Sequence, residues 1–260
     1  MAKQLAIEIE DLSIGYGKGN KAFVVADAIT LKLEPASLYG LIGINGSGKS
    51  TLIKTLSGAL NPLSGEFKLQ GEYAHRLTME ARAKMLSVVL TKSPVSLNLS
   101  CYELVALGRH PYTNWVGKLT ALDKEAIYDA LEKTDLTALK DKKCYQLSDG
   151  QLQRALLARA IAQDTPIIIL DEPTTHLDLH HKFNMLKLMH QLAREGKTVL
   201  YATHDLEQAL DLCDSILLVK DKRIASYSRE KVLTSGVLES LFPKETVRFD
   251  AESKRFFLNK

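Results

Sequence analysis

The sequence has few cysteines and lacks the pattern of a secretory leader, and each observation narrows the classes of protein to which the chain can belong. Its 260 residues contain three cysteines, Cys101, Cys144 and Cys213, and none has the C-x-x-C spacing of a zinc or redox site. We therefore expect neither a disulfide framework nor a zinc centre, and a reducing cytoplasm is the expected compartment. The amino terminus lacks the basic region and apolar stretch of a signal peptide.

An excess of one charge sign and a long apolar run are also missing. The chain has 34 Lys and Arg against 31 Asp and Glu, a net charge of +3 that is too balanced to indicate a nucleic-acid partner. Apolar runs such as Ile167–Leu170 are far shorter than the roughly 20 residues that cross a bilayer as a helix. Any attachment to a membrane must therefore come from a partner. With 45% hydrophobic residues, the chain can fold without metal or disulfide support.

Hydrophobic periodicity predicts an α/β fold. Apolar and polar residues alternate over Leu5–Ser13 and Ala28–Leu33, which predicts an antiparallel opening sheet. Ser37–Gly43 then predicts a buried strand that leads through a glycine-rich loop into a helix ending at Asn61-Pro62.

Helices and strands alternate in the rest of the chain, which predicts a parallel sheet. Between residues 78 and 143 the pattern is mostly helical, and its punctuation by proline and glycine predicts a helical insert. The predicted helices are Leu99–Gly108, Asp123–Leu139, Asp149–Ala162, His181–Arg194, Asp205–Leu212 and Val232–Phe242, and the predicted strands are Ile167–Leu170, Val199–Thr203 and Ser215–Lys220.

Residues 43–51 match the phosphate-loop pattern between a predicted strand and a predicted helix. Glycines let backbone N–H groups turn inward around phosphates, and the helix N-terminus adds positive potential. A chance glycine-rich turn is the alternative, but the strand and helix are correctly placed. The candidate nucleotide-binding residues are Gly43, Asn45, Gly46, Ser47, Gly48, Lys49 for the β- and γ-phosphates, Ser50 for Mg²⁺ and Thr51 as a further hydroxyl donor.

Two adjacent carboxylates follow the apolar strand Ile167–Leu170. Buried or half-buried carboxylates are unfavourable unless a cation or ligand uses them. Asp171 can hold Mg²⁺ through water, and Glu172 can orient or deprotonate an attacking water. An acidic strand end that faces solvent is the alternative, although the upstream phosphate loop favours Mg²⁺.

Further motifs, in order along the chain, resemble those of ABC ATPases. Leu147-Ser148-Asp149-Gly150-Gln151 is similar to the family signature, where Ser148 can cap a helix that faces the γ-phosphate bound by the opposite protomer. Residues 173–178 resemble the D-loop that touches the partner subunit. By the same resemblance His204 would contact the γ-phosphate and the attacking water, and Tyr16 would stack on adenine. Ser148, Gly150 and Gln151 are thus also candidate nucleotide-binding residues.

One branch of the family gives a closer resemblance. Residues 104–112, Leu-Val-Ala-Leu-Gly-Arg-His-Pro-Tyr, are similar to a segment of ATPases that serve importers of iron–siderophore, haem and cobalamin. The chain departs from the family at Thr91, where the usual Mg²⁺-ligating residue is glutamine, and at Asp149, where it is glycine. A threonine hydroxyl can still ligate Mg²⁺ with a shorter reach. We expect hydrolysis to survive both changes, although Asp149 could slow it by repelling phosphate.

The resemblance, which runs from Ile7 to Lys222, carries these expectations about fold and function. It implies a P-loop NTPase fold with a parallel-sheet core, a small antiparallel β subdomain and a helical subdomain. Residues 1–225 would form the ATPase domain with a helical insert at about 78–155, and residues 226–260 a C-terminal extension with a short helix. ATP and Mg²⁺ would be the cofactors.

The resemblance also implies partners. The chain would act as a homodimer at the cytoplasmic face of the membrane, bound to an integral membrane permease and served indirectly by a periplasmic or lipid-anchored substrate-binding protein. A non-transport ABC protein that gates a soluble partner is the main alternative. A nucleotide kinase would share only the phosphate loop and would leave the later motifs unexplained.

Overall fold

The computed structural model describes residues 4–91, 95–175, 177–241 and 247–258. The chain divides into two compact units, one formed by Met1–His75 with Leu200–Lys260 and the other by Arg76–Val199. Its larger sheet has six strands and is mixed but mostly parallel, as predicted. Within the described residues, no helix has the length and apolar character needed to cross a membrane.

The first unit opens with a four-stranded antiparallel sheet in the order β2-β1-β4-β5. In the register, Ile7 of β1 lies opposite Leu33 on one side and Leu69 on the other. Burial alternates over Ile7–Ile9 and again over Leu12–Ile14, on either side of a register shift, so the period-2 pattern correctly predicted this sheet. The strands are β1 Ile7–Tyr16, β2 Phe23–Leu33, β4 Ser64–Leu69 and β5 Glu72–Tyr73, of which β4 and β5 were not predicted.

The same unit contributes three neighbouring strands to the six-stranded sheet. β3 Leu38–Ile42 is buried throughout and runs parallel to β9 Ser215–Lys220. β9 pairs antiparallel with β10 Arg223–Ser228 through a tight turn whose residues Asp221 and Lys222 both have positive φ, 47° and 59°. This is the turn geometry that fits the twist of a two-residue hairpin. The sequence analysis missed β10.

Helix α1, Lys49–Ser57, follows β3 through the glycine-rich loop. It ends before the predicted stop at Asn61-Pro62 because Gly58 takes a left-handed φ of 83° and its N–H bonds to the Thr55 carbonyl. The proline was therefore the wrong signal for this helix end.

The carboxyl-terminal part of the first unit differs most from the prediction. Helix α7 spans Leu206–Leu212, and α8 spans Arg229–Thr234, followed by a separate 3₁₀ turn at Glu239–Leu241. The single helix predicted over Val232–Phe242 was wrong in its described part, and Phe242 lies outside the described residues. The charged tail forms a hairpin of β11 Val247–Asp250 and β12 Arg255–Leu258, in which the rings of Phe249 and Phe256 lie 4.9 Å apart.

The second unit carries the helices of the middle of the chain around two parallel strands. β6 Leu86–Val89 pairs in register with β7 Ile167–Asp171. Strand β8, Thr198–Thr203, belongs to the same six-stranded sheet and contains the division between the units. The helices are α2 Met79–Met85, α3 Cys101–Ala106, α4 Ala121–Lys133, α5 Asp149–Ala162 and α6 Leu179–Arg194.

Two helix ends in this unit correct the predictions. α4 ends at Lys133, not Leu139, because Asp135 adopts a left-handed φ of 55° and a 3₁₀ turn follows at Thr137–Leu139. α3 ends at Ala106, and the chain continues as a 3₁₀ helix over Leu107–Tyr112 that contains Pro111. The first end depends on the backbone geometry of one residue and the second on a change of helix type, and hydrophobic periodicity reports neither.

Gly108 and Arg109 hold the 3₁₀ helix against α5. A Cβ atom on Gly108 would lie 2.2 Å from the Arg159 carbonyl oxygen, so only glycine permits this approach. The buried Arg109 side chain pairs with Asp123 at 2.9 Å and donates to the Ala162 carbonyl at 2.8 Å. These two residues of the importer-like segment therefore pack the helical unit.

Candidate nucleotide site

The phosphate loop lies in the first unit, between β3 and α1. Gly46 and Gly48 adopt positive φ values of 78° and 115°, which non-glycine residues rarely adopt. A Cβ on Gly43 would lie 2.7 Å from both the Ser47 hydroxyl and the Val219 carbonyl. These close contacts and the left-handed turns give the loop a tight backbone path into the N-terminus of α1, as predicted for a phosphate-binding loop.

Lys49 is the first residue of α1, and its side chain folds back across the loop. Its ammonium donates to the Gly43 carbonyl at 2.7 Å and to the Ile44 carbonyl at 3.2 Å, and the residue is buried. A buried ammonium this close to the loop backbone provides a fixed positive charge beside the inner face of the loop. The loop thus has the cation that phosphates require.

The Ser47 hydroxyl is buried and has no hydrogen-bond partner among the described residues. An unpaired buried hydroxyl costs free energy comparable to a lost hydrogen bond. A phosphate oxygen would satisfy it, because a hydroxyl can donate to an anionic oxygen. This unpaired donor, together with Lys49, shows that the residues of the loop fit a bound nucleotide phosphate. Asn45 and Ser50 are exposed at the same loop, and Thr51 is buried within α1.

Tyr16 ends β1 next to the same helix. Its hydroxyl lies 3.2 Å from the Thr51 hydroxyl, while 45% of the residue remains exposed. The bond holds one end of the ring and leaves an exposed aromatic surface of the kind that stacks on a base. The contact between Tyr16 and Thr51 was not predicted, since the two residues are far apart in sequence.

A cavity of about 460 Å³ opens beside the loop in this unit. Val25 and Ile44 supply apolar wall, and the loop residue Ser47 lines the same space. Small-molecule sites commonly combine an apolar wall with a few polar groups. The cavity therefore adds room for a ligand next to the phosphate-binding residues.

His204 follows β8 in the first unit and is exposed. The next residue, Asp205, caps α7 by accepting from the Gln208 N–H at 3.1 Å, and its own N–H donates to the Thr203 hydroxyl at 3.0 Å. These bonds fix the turn that presents the histidine at the end of the strand.

In the second unit, the paired carboxylates lie at the end of β7. Asp171 is the buried last residue of the strand, and Glu172 follows it with a left-handed φ of 51°. Thr175 donates its hydroxyl to the Glu172 carboxylate at 3.3 Å, and Thr91 donates its hydroxyl to the Asp171 carbonyl oxygen at 3.0 Å. Neither hydroxyl contact was predicted.

The signature-like segment begins α5 in the way the sequence predicts. The Ser148 hydroxyl accepts from the Gln151 N–H at 3.3 Å, and the Gln151 side chain accepts from the Ser148 N–H at 3.0 Å. This reciprocal capping box leaves Ser148 and Asp149 exposed at the positive end of the helix. A Cβ on Gly150 would lie 3.2 Å from a Leu177 methyl group, so glycine allows close packing here.

Each unit thus brings together its own part of the predicted site. The first assembles the phosphate loop with Tyr16, and the second places Thr91 on the backbone of Asp171. His176, in the D-loop-like segment, lies outside the described residues. The contacts of Ser47, Thr91 and Thr175 were missed because a hydroxyl gives no pattern in the sequence that identifies its partner.

The loop geometry and the ordered motifs define a phosphate-loop ATPase. Comparison with known proteins then gives the family: residues 26–175 match the ABC transporter domain. The chain is also 34% identical over 235 residues to the ferric enterobactin transport ATP-binding protein FepC of Escherichia coli, covering 90% of this chain and 85% of FepC. The chain belongs to the ABC transporter family, as an ATP-binding subunit that couples ATP hydrolysis to transport.

Two solved structures agree with this assignment. An ABC transporter of the metal-chelate type, in an inward-facing conformation, matches with a TM-score of 0.79 and 27% identity over 97% of this chain and 95% of its own. The dimeric bacterial ABC transporter cassette MJ0796 matches with a TM-score of 0.76 and 25% identity over 86% of this chain and 98% of its own. The expected fold class is therefore confirmed.

Proposed function

We propose that this chain powers the uptake of a metal chelate, an iron–siderophore, haem or cobalamin-type substrate, through a partner permease. The observation that carries the proposal is a fully built phosphate loop in a chain that matches an enterobactin transport ATPase over 90% of its length. The likeness to a metal-chelate type transporter supports the same substrate class.

The phosphate loop supplies the binding part of this function. Lys49 neutralises charge on the β- and γ-phosphates, Ser47 donates its unpaired hydroxyl, and Tyr16 stacks on the adenine. The other nucleotide contacts come from the loop amides and the hydroxyl of Thr51. These residues hold the nucleotide in one orientation, which removes much of the entropic barrier to reaction.

Ser50 and Asp171 supply oxygen ligands suitable for Mg²⁺, since hydroxyl and carboxylate oxygens are the donors this ion prefers. For Thr91, the third candidate from the sequence, we propose a positioning role instead, because its hydroxyl donates to the Asp171 carbonyl oxygen. When bound, Mg²⁺ neutralises negative charge on the phosphates. Asp171 is buried at the end of an apolar strand, a position where a carboxylate is favourable if it faces a cation.

Glu172 and His204 are the catalytic residues of the proposal. Glu172 accepts a proton from the attacking water, and His204 contacts the γ-phosphate and orients that water. Replacing Glu172 with Gln keeps the shape and removes the base. We expect the variant to bind ATP with unchanged affinity and to lose about 10²–10⁴-fold in turnover. A variant that hydrolyses ATP at the wild-type rate would contradict the role of Glu172.

The exposed signature helix supports a homodimer. Ser148, Gly150 and Gln151 lie at the start of α5, whose positive end is exposed at Ser148 and Asp149 and can face the γ-phosphate bound by a second copy. The dimeric cassette MJ0796 has the same fold. Two copies would then enclose two ATP molecules and separate after hydrolysis.

An exposed apolar groove in the second unit fits a cytoplasmic segment of the permease. Its cavity of about 560 Å³ is lined by Met79, Trp115 and Val116, which are 91%, 97% and 65% exposed. Large apolar side chains this exposed indicate a protein contact. The chain would thus lie at the cytoplasmic face of the membrane, with a periplasmic or lipid-anchored binding protein acting through the permease.

Purification of the tagged protein from native membranes tests the transport part of the proposal. Co-purification of a polytopic permease, with an iron-chelate or cobalamin binding protein, is the expected result. Recovery of soluble partners alone would favour the other candidate, a non-transport ABC protein acting in assembly or regulation, and would leave the ATPase assignment intact.

A further inference from the structure

We propose that Thr91 is a positioning residue whose hydroxyl sets the orientation of the Glu172 carboxylate during ATP hydrolysis. The inference rests on the proposed function, because it assigns a role within the same site. It concerns the one peptide group that joins Asp171 to Glu172.

The hydrogen bond acts on that peptide group directly. Thr91 Oγ1 donates to the carbonyl oxygen of Asp171 at 3.0 Å. This oxygen belongs to the peptide plane that leads into Glu172, so the bond restricts rotation of the plane. Parallel pairing brings the donor there, because Val89 of β6 lies opposite Leu170 of β7. Asp171 is one residue after Leu170, and Thr91 is two residues after Val89, so both lie at the same end of the paired strands.

Glu172 needs such a restraint because its backbone is unfavourable for a residue with a side chain. Its φ of 51° lies in the left-handed region, where the Cβ atom crowds the carbonyl oxygen. A residue stays in this conformation only where its surroundings hold it, and such residues are often functional. Rotation of the preceding peptide plane would change φ and swing the carboxylate away.

Thr175 restrains the other side of Glu172. Its N–H donates to the Glu172 carbonyl and its hydroxyl to the Glu172 carboxylate, both at 3.3 Å. Thr91 therefore holds the peptide before Glu172, and Thr175 holds the carbonyl after it together with the side chain. The hydroxyl proton of Thr91 is directed at a backbone carbonyl, which gives Thr91 a role apart from metal ligation.

This arrangement separates turnover from binding. Loss of the Thr91 hydroxyl should misplace the base relative to the attacking water, and misplacement by about 1 Å can reduce a rate by about 10²-fold. The phosphate loop and its contacts lie elsewhere in the chain, so ATP affinity should stay the same.

The experiment compares Thr91→Val, which has the same shape without the hydroxyl, with Thr91→Ser, which keeps the hydroxyl. Thr113→Val is the matched control, since Thr113 also donates its hydroxyl to a carbonyl, that of His110, at 3.0 Å. We expect Thr91→Val to lower kcat by about 10–100-fold. KM for ATP, the Mg²⁺ concentration for half-maximal rate and Tm should match those of wild type.

Two further measurements use the conservative variant Thr91→Ser and the Glu172→Gln background. Thr91→Ser should restore kcat to within about twofold of wild type, because the donor returns. In the Glu172→Gln background, Thr91→Val should leave ATP affinity and the residual rate unchanged, since the base it positions is already gone.

Four results would overturn the inference. The first is an unchanged kcat in Thr91→Val, and the second is a Thr91→Ser variant as slow as Thr91→Val. The third is a raised Mg²⁺ requirement in Thr91→Val, which would make Thr91 a metal ligand. The fourth is a loss of ATP affinity and a lower Tm in Thr91→Val, which would make the role of Thr91 structural. A wild-type protein that does not hydrolyse ATP would instead overturn the proposed function itself.

Discussion

Asp149 places a carboxylate at the first residue of α5, beside the Ser148 cap. The charge favours the helix, since an acidic group at a helix N-terminus stabilises it by about 0.3–1 kcal/mol. In the proposed dimer the same charge would face the γ-phosphate of a second copy and repel it. The residue therefore favours the fold of one subunit and opposes closure of the pair.

Replacement of Asp149 with Asn should accelerate the ATPase and lower KM for ATP. Asn removes the charge and keeps a similar size, and a gain of about 1 kcal/mol corresponds to roughly fivefold in binding. Steady-state rates measured over a range of salt concentrations check the cause, because screening should shrink the difference between variant and wild type. A difference that does not change with salt would exclude repulsion as the cause.

Residue-level chemistry was readable from the sequence where a side chain bonds to its own neighbourhood. Ser148 caps α5 as predicted, by accepting from the Gln151 N–H one turn along the chain. By contrast, the bonds from Thr91 to Asp171 and from Tyr16 to Thr51 join distant parts of the chain. These contacts depend on strand register and packing, which a single sequence does not fix.

The contact between the 3₁₀ helix Leu107–Tyr112 and the start of α4 depends on one buried ion pair. Arg109 is 9% and Asp123 3% exposed at the side chain, and the guanidinium also lies 4.0 Å from the Tyr112 ring centroid. Replacing Asp123 with Ala leaves Arg109 buried without its partner. Such a change costs about 3–5 kcal/mol. Chemical denaturation should show the loss, while replacing Glu80 of the exposed Lys84–Glu80 pair should cause a much smaller change.

The same pair gives a pH dependence with a defined sign. Burial alone would raise the pKa of the Asp123 carboxyl, but hydrogen bonds from Thr120 and Arg109 outweigh it and hold the pKa below its usual range. A carboxyl with a lowered folded-state pKa stabilises the protein above its unfolded pKa, and this stability is lost as pH falls through the folded value. In acid, wild type should therefore lose part of its advantage over Asp123→Ala. An advantage that stays constant down to the folded pKa would contradict this.

The predicted ends of helices and strands agree with the structure only where a cap or a uniform apolar run marks them. α5 and β9 have the predicted bounds, Asp149–Ala162 and Ser215–Lys220. The ends of α1 and α4 are set by left-handed residues, Gly58 and Asp135, whose φ values follow from packing. β10 was missed because its exposed, polar sequence has a weak apolar pattern and gains stability only by pairing with β9.

At the scale of the assembly, the groove of Met79, Trp115 and Val116 should be required for the permease and dispensable for ATP hydrolysis. Trp115→Glu places a charge in an apolar contact that must be desolvated. We expect loss of the permease on co-purification, with the ATPase rate of the isolated protein unchanged. Leu122→Glu is the matched control, since Leu122 is 74% exposed in the same unit and does not line the groove. Loss of the permease in both variants would show that charge anywhere on the unit disrupts assembly.

The proposed homodimer can be tested by mixing two inactive variants of the chain. Lys49→Ala destroys the phosphate loop and Ser148→Arg blocks the signature helix, so each variant alone should be inactive. If each ATP lies between the loop of one copy and the signature of the other, a mixed dimer contains one site with both parts intact. An equal mixture of the two variants should therefore recover activity at about a quarter of all sites, because half of the dimers are mixed and each has one intact site of two. The double variant Lys49→Ala with Ser148→Arg, mixed equally with wild type, is the control. Its mixed dimers have no intact site, so activity should fall to about a quarter of all sites, which the wild-type dimers retain, and not to the half expected if each copy worked alone. A mixture of single variants that stays inactive would mean that loop and signature act within the same copy or that both sites must be intact, and either result would contradict independent shared sites.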